Sequence, residues 1–284
     1  ENFYVHDPKR RHISKAIVHD RIVHQAIEQV VLPLLEPAYI FDSYAARTGK
    51  GIHSAVLRLE GFLRKASHNY RLPVYALKCD VKRFFDSIPH EELLVTLARR
   101  FPDERFLKLM RAIVDSYASE VGSWYGLPLG NVTSQLCANF YLDALDHFVK
   151  DELRLRWYAR FCDDFVIVHP DPLVLTSLVP VLRTWLEECR GLSLHPQKIM
   201  IRKFSQGIDF VGQVLRQHVR TMRTKTRRRL MRTIRLRVKQ YVSGKIDGEI
   251  LRQSLQSSYG ALEHGKNYGN IKRLREDVSR QLFS

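Results

Sequence analysis

An adjacent pair of carboxylates, Asp163 and Asp164, lies between two runs of aromatic and branched residues at positions 157–161 and 165–168. Such residues favour β-strands, so the segment predicts a tight hairpin that holds both acids at or beside its turn. Neighbouring carboxylates repel and raise each other's pKa unless a cation lies between them. The pair therefore either binds a cation or is an ordinary solvated turn, in which Asp is common.

A second segment brings a third acid to this part of the fold. Residues 74–81 are apolar almost throughout and predict a buried strand that carries Asp80 at its carboxyl end. Asp80, Asp163 and Asp164 can then meet at one edge of a sheet. Oxygen ligands of this kind suit Mg²⁺, and two such ions can activate a 3′-hydroxyl and stabilise the leaving oxygen in phosphoryl transfer.

The charge of the chain indicates its class of partner. The 284 residues carry a formal net charge of +16, which favours a polyanion. Nucleic acid is favoured over a membrane, because no stretch approaches the roughly 20 apolar residues of a spanning helix.

The four cysteines form no Cys-x-x-Cys pair, which argues against zinc and disulfides and suits a reducing cytoplasm. The first residue is not an initiator Met, so an upstream segment is left open.

The basic residues concentrate near the end of the chain. No acid occurs between residues 209 and 247, whereas arginine and lysine crowd this interval. Apolar residues recur there with helical spacing, which predicts a folded basic helix. We expect two domains, residues 1–212 and a smaller helical region over 213–284. The periodic apolar positions are Leu230, Ile234, Val238 and Tyr241.

The preceding part of the chain reads as helices that alternate with short strands. A first helix is expected to be capped by Asp20 and to end before Pro33. Further helices are predicted over residues 53–65, 104–117, 133–153 and 173–189. Glycines between residues 126 and 130 allow a backbone to approach a ligand closely.

Five motifs occur in order along the chain: Asp80-x-x-x-x-Phe85-Asp86, Gly130-x-x-x-Ser134, Phe161-Cys162-Asp163-Asp164, Gly191-Leu192-x-Leu194-His195-Pro196-x-Lys198 and Gly207-Ile208-Asp209-Phe210-Val211-Gly212. This order is typical of reverse transcriptases, and the chain resembles that family from Asp7 to roughly Arg229. The resemblance implies an α+β right-hand polymerase fold, with fingers, an antiparallel-sheet palm and a helical thumb. It also implies RNA-templated DNA synthesis.

The resemblance also implies roles for individual residues. Asp80, Asp163 and Asp164 would bind two Mg²⁺ ions, or Mn²⁺, with help from the carbonyl of Val81. Phe85 resembles the steric gate against a 2′-hydroxyl, and Lys198 a general acid to pyrophosphate. The residues expected to hold the incoming dNTP are Phe85, Arg47, Lys9, Arg11, Leu129, Gly130 and Gln135. Those expected to bind nucleic acid are Arg223, Lys225, Arg227, Arg228 and Arg229.

Two departures from the family pattern narrow the resemblance. Phe161 stands where a Tyr is usual, so a hydroxyl is lost. Leu129 and Gln135 replace the usual Gln and Pro, and this loop resembles the enzymes of diversity-generating retroelements, which copy adenines with low fidelity. An aliphatic Leu129 cannot make the hydrogen bonds of Gln, which would loosen discrimination against mispairs.

The partners implied by this resemblance are template RNA, primer or cDNA, dNTPs and a small basic accessory protein, in the cytoplasm of a bacterial or phage-infected cell. A reverse transcriptase of a defence system or a group II intron is an alternative. So is a non-catalytic, maturase-like RNA-binding protein, although all three acids are present. The bulk of Phe85 disfavours an RNA-dependent RNA polymerase.

Overall fold

The computed structural model describes residues 2–5, 11–117 and 122–265, and the isolated positions 272, 276 and 278. The chain forms two compact units, the first of Glu1–Phe62 and Val74–Ile201 and the second of Leu63–Pro73 and Arg202–Ser284. A boundary after Gly212, as predicted, falls inside the second unit. It would cut a hairpin, because residues on both sides of Gly212 pair as strands.

The elements follow one another along the chain in mixed order. The strands are β1 Asn2–Val5, β2 Arg11–Ser14, β3 Tyr75–Asp80, β4 Tyr158–Phe161, β5 Asp164–His169, β6 Met200–Lys203, β7 Ile208–Phe210, β8 Gln213–Arg216 and β9 Val219–Met222. The helices are α1 Val18–Leu35, α2 Ile52–Ala66, α3 Phe84–Ser87, α4 His90–Arg100, α5 Glu104–Asp115, α6 Val132–His147, α7 Pro172–Arg190, α8 Thr224–Val242 and α9 Gly248–His264.

A four-stranded sheet with the order β4-β5-β3-β6 is the centre of the first unit. Strands β4 and β5 form the predicted hairpin, and β5 also pairs antiparallel with β3. The middle strands are apolar because both faces are covered: Phe165, Val166 and Ile167 are fully buried. The predicted α+β class with an antiparallel sheet is confirmed.

Helix α6 is the most buried helix of this unit. Its Leu136, Tyr141, Leu142 and Leu145 join the core against the sheet, and a π-helical turn over Phe148–Glu152 prolongs it to about the predicted end. Helix α1 packs on α6. Within the part of the chain that the structure describes, no helix is long and apolar enough to cross a bilayer.

The prediction for α1 is wrong at both ends. The helix begins at Val18 after Ile17, so Asp20 lies in its first turn and is not its cap. It also continues through Pro33. The Glu36 N–H donates to the Leu32 carbonyl at 2.9 Å, so only the hydrogen bond that Pro33 itself cannot make is lost.

The second unit combines a small sheet with two helices. Strands β7, β8 and β9 form an antiparallel sheet, so the prediction of a helical region from Gln213 is wrong up to Met222. The turn between β8 and β9 contains His218 in the left-handed conformation, with φ of 62°. Helix α8 is the predicted basic helix, and its Ile234 and Val238 are buried against α9.

Candidate active site

The three carboxylates lie at the ends of neighbouring strands in the first unit. Asp80 is the last residue of β3 and stands directly opposite Asp164, the first residue of β5. Asp163 belongs to the turn before β5, and its carbonyl accepts a hydrogen bond from the Val81 N–H at 3.1 Å. Cys162, also in this turn, is left-handed with φ of 57°. The hairpin therefore delivers both of its acids to the carboxyl end of β3.

Two lysines face these acids. The Lys198 ammonium group lies 2.6 Å from Asp80 Oδ1, and the Lys78 ammonium group lies 3.0 Å from Asp164 Oδ2. Lys198 comes from a 3₁₀ turn after His195, whose N–H donates to the Asp80 carbonyl at 2.8 Å. Each of these two acids is therefore paired with a lysine, Lys78 from β3 and Lys198 from the 3₁₀ turn.

Burial disfavours the ionised form of the two hairpin acids, Asp163 and Asp164. It raises the pKa of Asp164 to about 6, although Lys78 opposes the rise. Burial also raises the pKa of Asp163, and the negative charge of Asp80 adds to that effect. Carboxylates that repel one another in a partly buried site gain most from a nearby cation. The electrostatics are those of a site that attracts positive charge.

The three acids offer oxygen donors of the kind that a divalent metal ion needs. Among the residues described, no three His, Cys, Asp or Glu side chains are already grouped as a metal site. Asp80 and Asp164 each point to a lysine instead. The Asp164 Oδ1 atom, however, is buried and has no hydrogen-bond partner. Carboxylate oxygens are the ligands that Mg²⁺ prefers, so the residues present fit such an ion by their chemistry.

A cavity of about 290 Å³ opens beside the hairpin. Its wall includes Cys162, the residue immediately before Asp163. Four of the residues predicted to hold a nucleotide line it, and they come from distant parts of the sequence. These four are Phe85, Leu129, Gly130 and Gln135.

The loop that carries Leu129 and Gly130 is held by strand β2. The Ser14 N–H donates to the Leu129 carbonyl at 3.0 Å. Gly130 has φ of +119°, and a Cβ there would lie 3.0 Å from Ile13 Cγ2. A side chain at position 130 would therefore be strained and would also push β2 away.

The arginine predicted to bind the triphosphate has another role. Arg47 donates from Nε and Nη2 to Glu36, and from Nη1 to the carbonyls of Ile40 and Ser43, and its side chain is only 4% exposed. We therefore correct that assignment, because its donors are already used to hold the loop after α1. Lys9 lies outside the described residues, and Arg11 is described only as the first residue of β2.

The family model for "Reverse transcriptase (RNA-dependent DNA polymerase)" matches residues 6–215, well over half of the chain. This match contains the three acids and every residue lining the cavity. The chain belongs to the reverse transcriptase family.

Similar sequences come from intron-encoded and bacterial proteins. The uncharacterized 91 kDa protein in the cob intron of Schizosaccharomyces pombe is 32% identical over 136 residues, 46% of this chain and 16% of that protein. Protein YkfC of Escherichia coli is 24% identical over 249 residues, 73% of this chain and 63% of that protein. The group II intron-encoded protein LtrA of Lactococcus lactis is 24% identical over 134 residues, 46% of this chain and 21% of that protein. The chain thus spans less than two thirds of each relative.

Solved structures with the same fold include telomerases. Telomerase of Candida albicans in complex with a telomeric RNA fragment superposes with a TM-score of 0.60 at 14% identity, covering 99% of this chain and 54% of that one. The corresponding complex from Candida tropicalis gives 0.61 at 13% identity, covering 99% and 54%. At such identities the likeness concerns the fold alone.

The site of this reverse transcriptase contains a buried arginine, Arg160, that is not among the residues predicted from the sequence. Arg160 of β4 is fully buried, lines the cavity and donates to Asp146 of α6 and to the carbonyl of Cys162. Burial alone would lower its pKa, but Asp146 overcomes this and raises the pKa. The sequence does carry a signal for this residue: an arginine stands among aromatic residues in a predicted strand. A charged side chain in such a strand requires a buried partner of opposite charge.

The exposed cations of α8 form a stripe in the second unit, which we name the α8 stripe. Of the five arginines and lysines predicted to bind nucleic acid, Lys225 and Arg228 belong to it, while Arg227 and Arg229 are half-buried. Arg223 forms an ion pair with Asp209, so part of its charge is neutralised within the unit. The α8 stripe consists of Lys225, Arg228, Arg232, Arg235 and Lys239.

Proposed function

We propose that this chain catalyses DNA synthesis on an RNA template, with dNTPs as substrates and Mg²⁺ as the metal. The observation that carries the proposal is the meeting of Asp80, Asp163 and Asp164 at adjacent strand ends, beside a cavity lined by motif residues of a reverse transcriptase. Reverse transcriptase domains generally use divalent metal ions. We assign the first unit to fingers and palm and the second to the thumb.

The roles proposed for the side chains follow from their chemistry. Asp80, Asp163 and Asp164, with the carbonyl of Val81, would hold two metal ions. When bound, such ions would lower the barrier by activating the 3′-hydroxyl and stabilising the departing oxygen. Lys198 Nζ carries a proton that it would donate to the leaving pyrophosphate, once it is released from Asp80.

The cavity residues would select the nucleotide. Phe85 is half-buried, is held edge-on against Phe84 with ring centroids 5.5 Å apart, and faces the cavity. A fixed ring at this place would collide with a 2′-hydroxyl and so favour dNTPs over NTPs. Leu129, Gly130 and Gln135 would contact the templating base and the incoming nucleotide.

Primer extension on a defined RNA template, with Mg²⁺ and single dNTPs, tests the reaction. We expect Asp163→Asn to abolish extension but to leave binding of the template–primer duplex largely intact. The matched control is Glu152→Gln, which removes a charge from an exposed acid of the same unit. Extension by Asp163→Asn at a rate close to the unchanged protein would rule out the metal assignment.

We further propose that synthesis is error-prone at template adenines, as in diversity-generating retroelements. Support comes from the Leu129-to-Gln135 loop, which resembles those enzymes in sequence, and from Leu129 lying on the cavity wall. Leu129→Gln should lower misincorporation opposite adenine, because Gln restores hydrogen bonds that discriminate between pairs. Leu129→Met keeps an aliphatic side chain and should leave the error spectrum as it is. Sequenced products in which the Gln variant errs like the parent would remove this explanation.

The second candidate is a reverse transcriptase of the group II intron type. The similarity to LtrA, a group II intron-encoded protein, favours it. Accurate copying of adenine by the unchanged protein would select this alternative. A maturase-like RNA-binding protein without catalysis is a third reading, and any extension that depends on Asp163 excludes it.

The partners belong to the same proposal. Template RNA, primer or cDNA and dNTPs follow from the reaction, and a small basic accessory protein and the cytoplasm of a bacterial or phage-infected cell follow from the retroelement subtype. Purification from cells that hold the whole element would reveal the accessory protein as a stoichiometric companion. Recovery of the chain with RNA alone would argue against it.

A further inference from the structure

Lys78 projects from the same face of β3 as Asp80, because side chains two residues apart on a strand share a face. Across the sheet, Asp80 stands opposite Asp164. The Lys78 ammonium group reaches Asp164 Oδ2 at 3.0 Å, and the two side chains are only 18% and 19% exposed. Lys78 is therefore a cation built into the face of the sheet that carries the acids.

The two oxygens of Asp164 are in different surroundings. Oδ2 is held by Lys78, whereas Oδ1 is buried and has no hydrogen-bond partner. A buried carboxylate oxygen without a partner is costly unless something else occupies it. Lys78 thus anchors one oxygen and leaves the other free to accept a further positive group.

Lys78 differs from the second lysine of the site in its attachment. Lys198 stands on a short 3₁₀ turn, its side chain is 35% exposed, and it already has a proposed role in proton donation. Lys78 stands on β3, a strand with neighbours on both sides in the sheet. Its backbone is held by strands on both sides, and its side chain is less exposed than that of Lys198.

We propose that Lys78 is a positioning residue that acts as an internal counter-ion to Asp164 and sets the affinity of the acidic cluster for divalent metal ions. The inference rests on the proposed function, in which Asp164 is a metal ligand. A positive charge next to a ligand oxygen repels an incoming cation and offsets the charge that attracts it. The same charge stabilises the folded chain when no metal is bound, because it prevents Asp164 from being a buried, unpaired charge.

Removal of the charge should therefore have two opposite effects. We expect Lys78→Met to bind metal ions about tenfold more tightly and to melt at a lower temperature in the presence of a chelator. Saturating metal should then close most of the gap in melting temperature. Lys78→Gln keeps a hydrogen-bond donor while losing the charge, and it should show the same gain in affinity if Lys78→Met folds poorly.

Titration with Mn²⁺, followed by the electron paramagnetic resonance signal of the free ion, measures affinity without any activity assay. Thermal melts with a chelator and with saturating Mn²⁺ complete the experiment. Lys78→Arg retains the charge, and Lys108→Met removes an equal charge from an exposed position on α5, so both should bind Mn²⁺ like the unchanged protein.

The outcomes separate this inference from the function on which it rests. If the unchanged protein binds Mn²⁺ and loses binding in Asp164→Asn, the metal assignment holds. Equal affinity in Lys78→Gln and the unchanged protein, with the same loss of melting temperature with and without Mn²⁺, would then mean that Lys78 is only structural and would overturn the inference. An unchanged protein that binds no Mn²⁺ would overturn both.

Discussion

Arg160 and Asp146 form an ion pair from which water is fully excluded. The Arg160 Nε and Nη2 atoms lie 2.7 and 2.6 Å from the two carboxylate oxygens, and both side chains are 0% exposed. Tyr158 donates its hydroxyl to the same carboxylate at 2.6 Å, and Arg160 also donates to Ser43 and to the Cys162 carbonyl. One buried pair thus joins α6, β4, the loop after α1 and the turn that precedes Asp163.

Loss of one partner should destabilise the first unit strongly. Asp146→Ala leaves the Arg160 charge buried without compensation, which typically costs about 3–5 kcal/mol. In a protein of this size that corresponds to a fall of roughly 10 °C in melting temperature. The control is Asp151→Ala, which removes an acid whose side chain is 65% exposed and pairs with His147, and its effect should be small.

A double variant distinguishes stability from function. Arg160→Met combined with Asp146→Leu replaces the pair by apolar groups and should recover much of the lost stability. Extension should stay impaired, since Met cannot hold the Cys162 carbonyl and so cannot fix the turn that carries Asp163. Full activity in the double variant would show that Arg160 serves stability alone.

The placement of the three acids at neighbouring strand ends could be predicted from the sequence because it depends on local patterns. Aromatic and branched runs around Asp163 and Asp164 predict a hairpin, and an apolar run before Asp80 predicts a strand. Their pairing in the sheet follows from both. The ordered motifs predicted part of the cavity wall, including Phe85 and Gly130, which no periodicity could bring together.

The errors arise where a residue's role depends on contacts distant in sequence or on tertiary packing. Arg47 on its glycine-punctuated loop is predicted to hold the triphosphate, but Glu36, eleven positions earlier, accepts hydrogen bonds from its guanidinium. The basic composition that follows residues 213–222 predicts a helical region there, yet these residues form β8, which pairs with β7, and β9, which pairs with β8. Asp20 resembled a cap, whereas α1 begins earlier at Val18.

Phe85 should control the choice between ribose and deoxyribose. Phe85→Ala removes the ring from the cavity wall, so we expect incorporation of NTPs relative to dNTPs to rise at least about tenfold, the range that one missing steric contact supplies. Phe85→Tyr keeps the ring and should preserve selection. Competition assays with a matched NTP and dNTP measure the ratio. A ratio unchanged in Phe85→Ala would make Phe85 a simple packing residue.

Asp143 should make the stability of the first unit depend on pH. Burial, reinforced by the charge of Asp146, raises the pKa of Asp143 to about 6. The unfolded chain loses this proton near its ordinary pKa of about 3.9, so the folded state is penalised as the pH rises from about 4 to 6.

Asp143→Asn removes this penalty. Its melting temperature should match that of the unchanged protein near pH 4 and exceed it by a few degrees above pH 6, the difference growing between these values. Asp103→Asn, at the exposed cap of α5, should show no such rise. A constant offset across the pH range would mean that Asp143 ionises with an ordinary pKa in the folded state.

The α8 stripe should supply the salt dependence of nucleic-acid binding. Its cations recur every three or four residues from Lys225 to Lys239, so they share one face over about 21 Å at 1.5 Å per residue.

Each phosphate contact contributes about 0.9 to the slope of log K against log salt on duplex DNA. Arg228→Gln with Arg232→Gln should therefore lower the slope by about 1 to 2 and weaken binding alike for all sequences, because backbone contacts carry no sequence information. Arg252→Gln on α9, whose arginine is already paired with Glu249, should leave the slope as it is. Equal slopes for the double variant and this control would exclude the α8 stripe as the site of phosphate contacts.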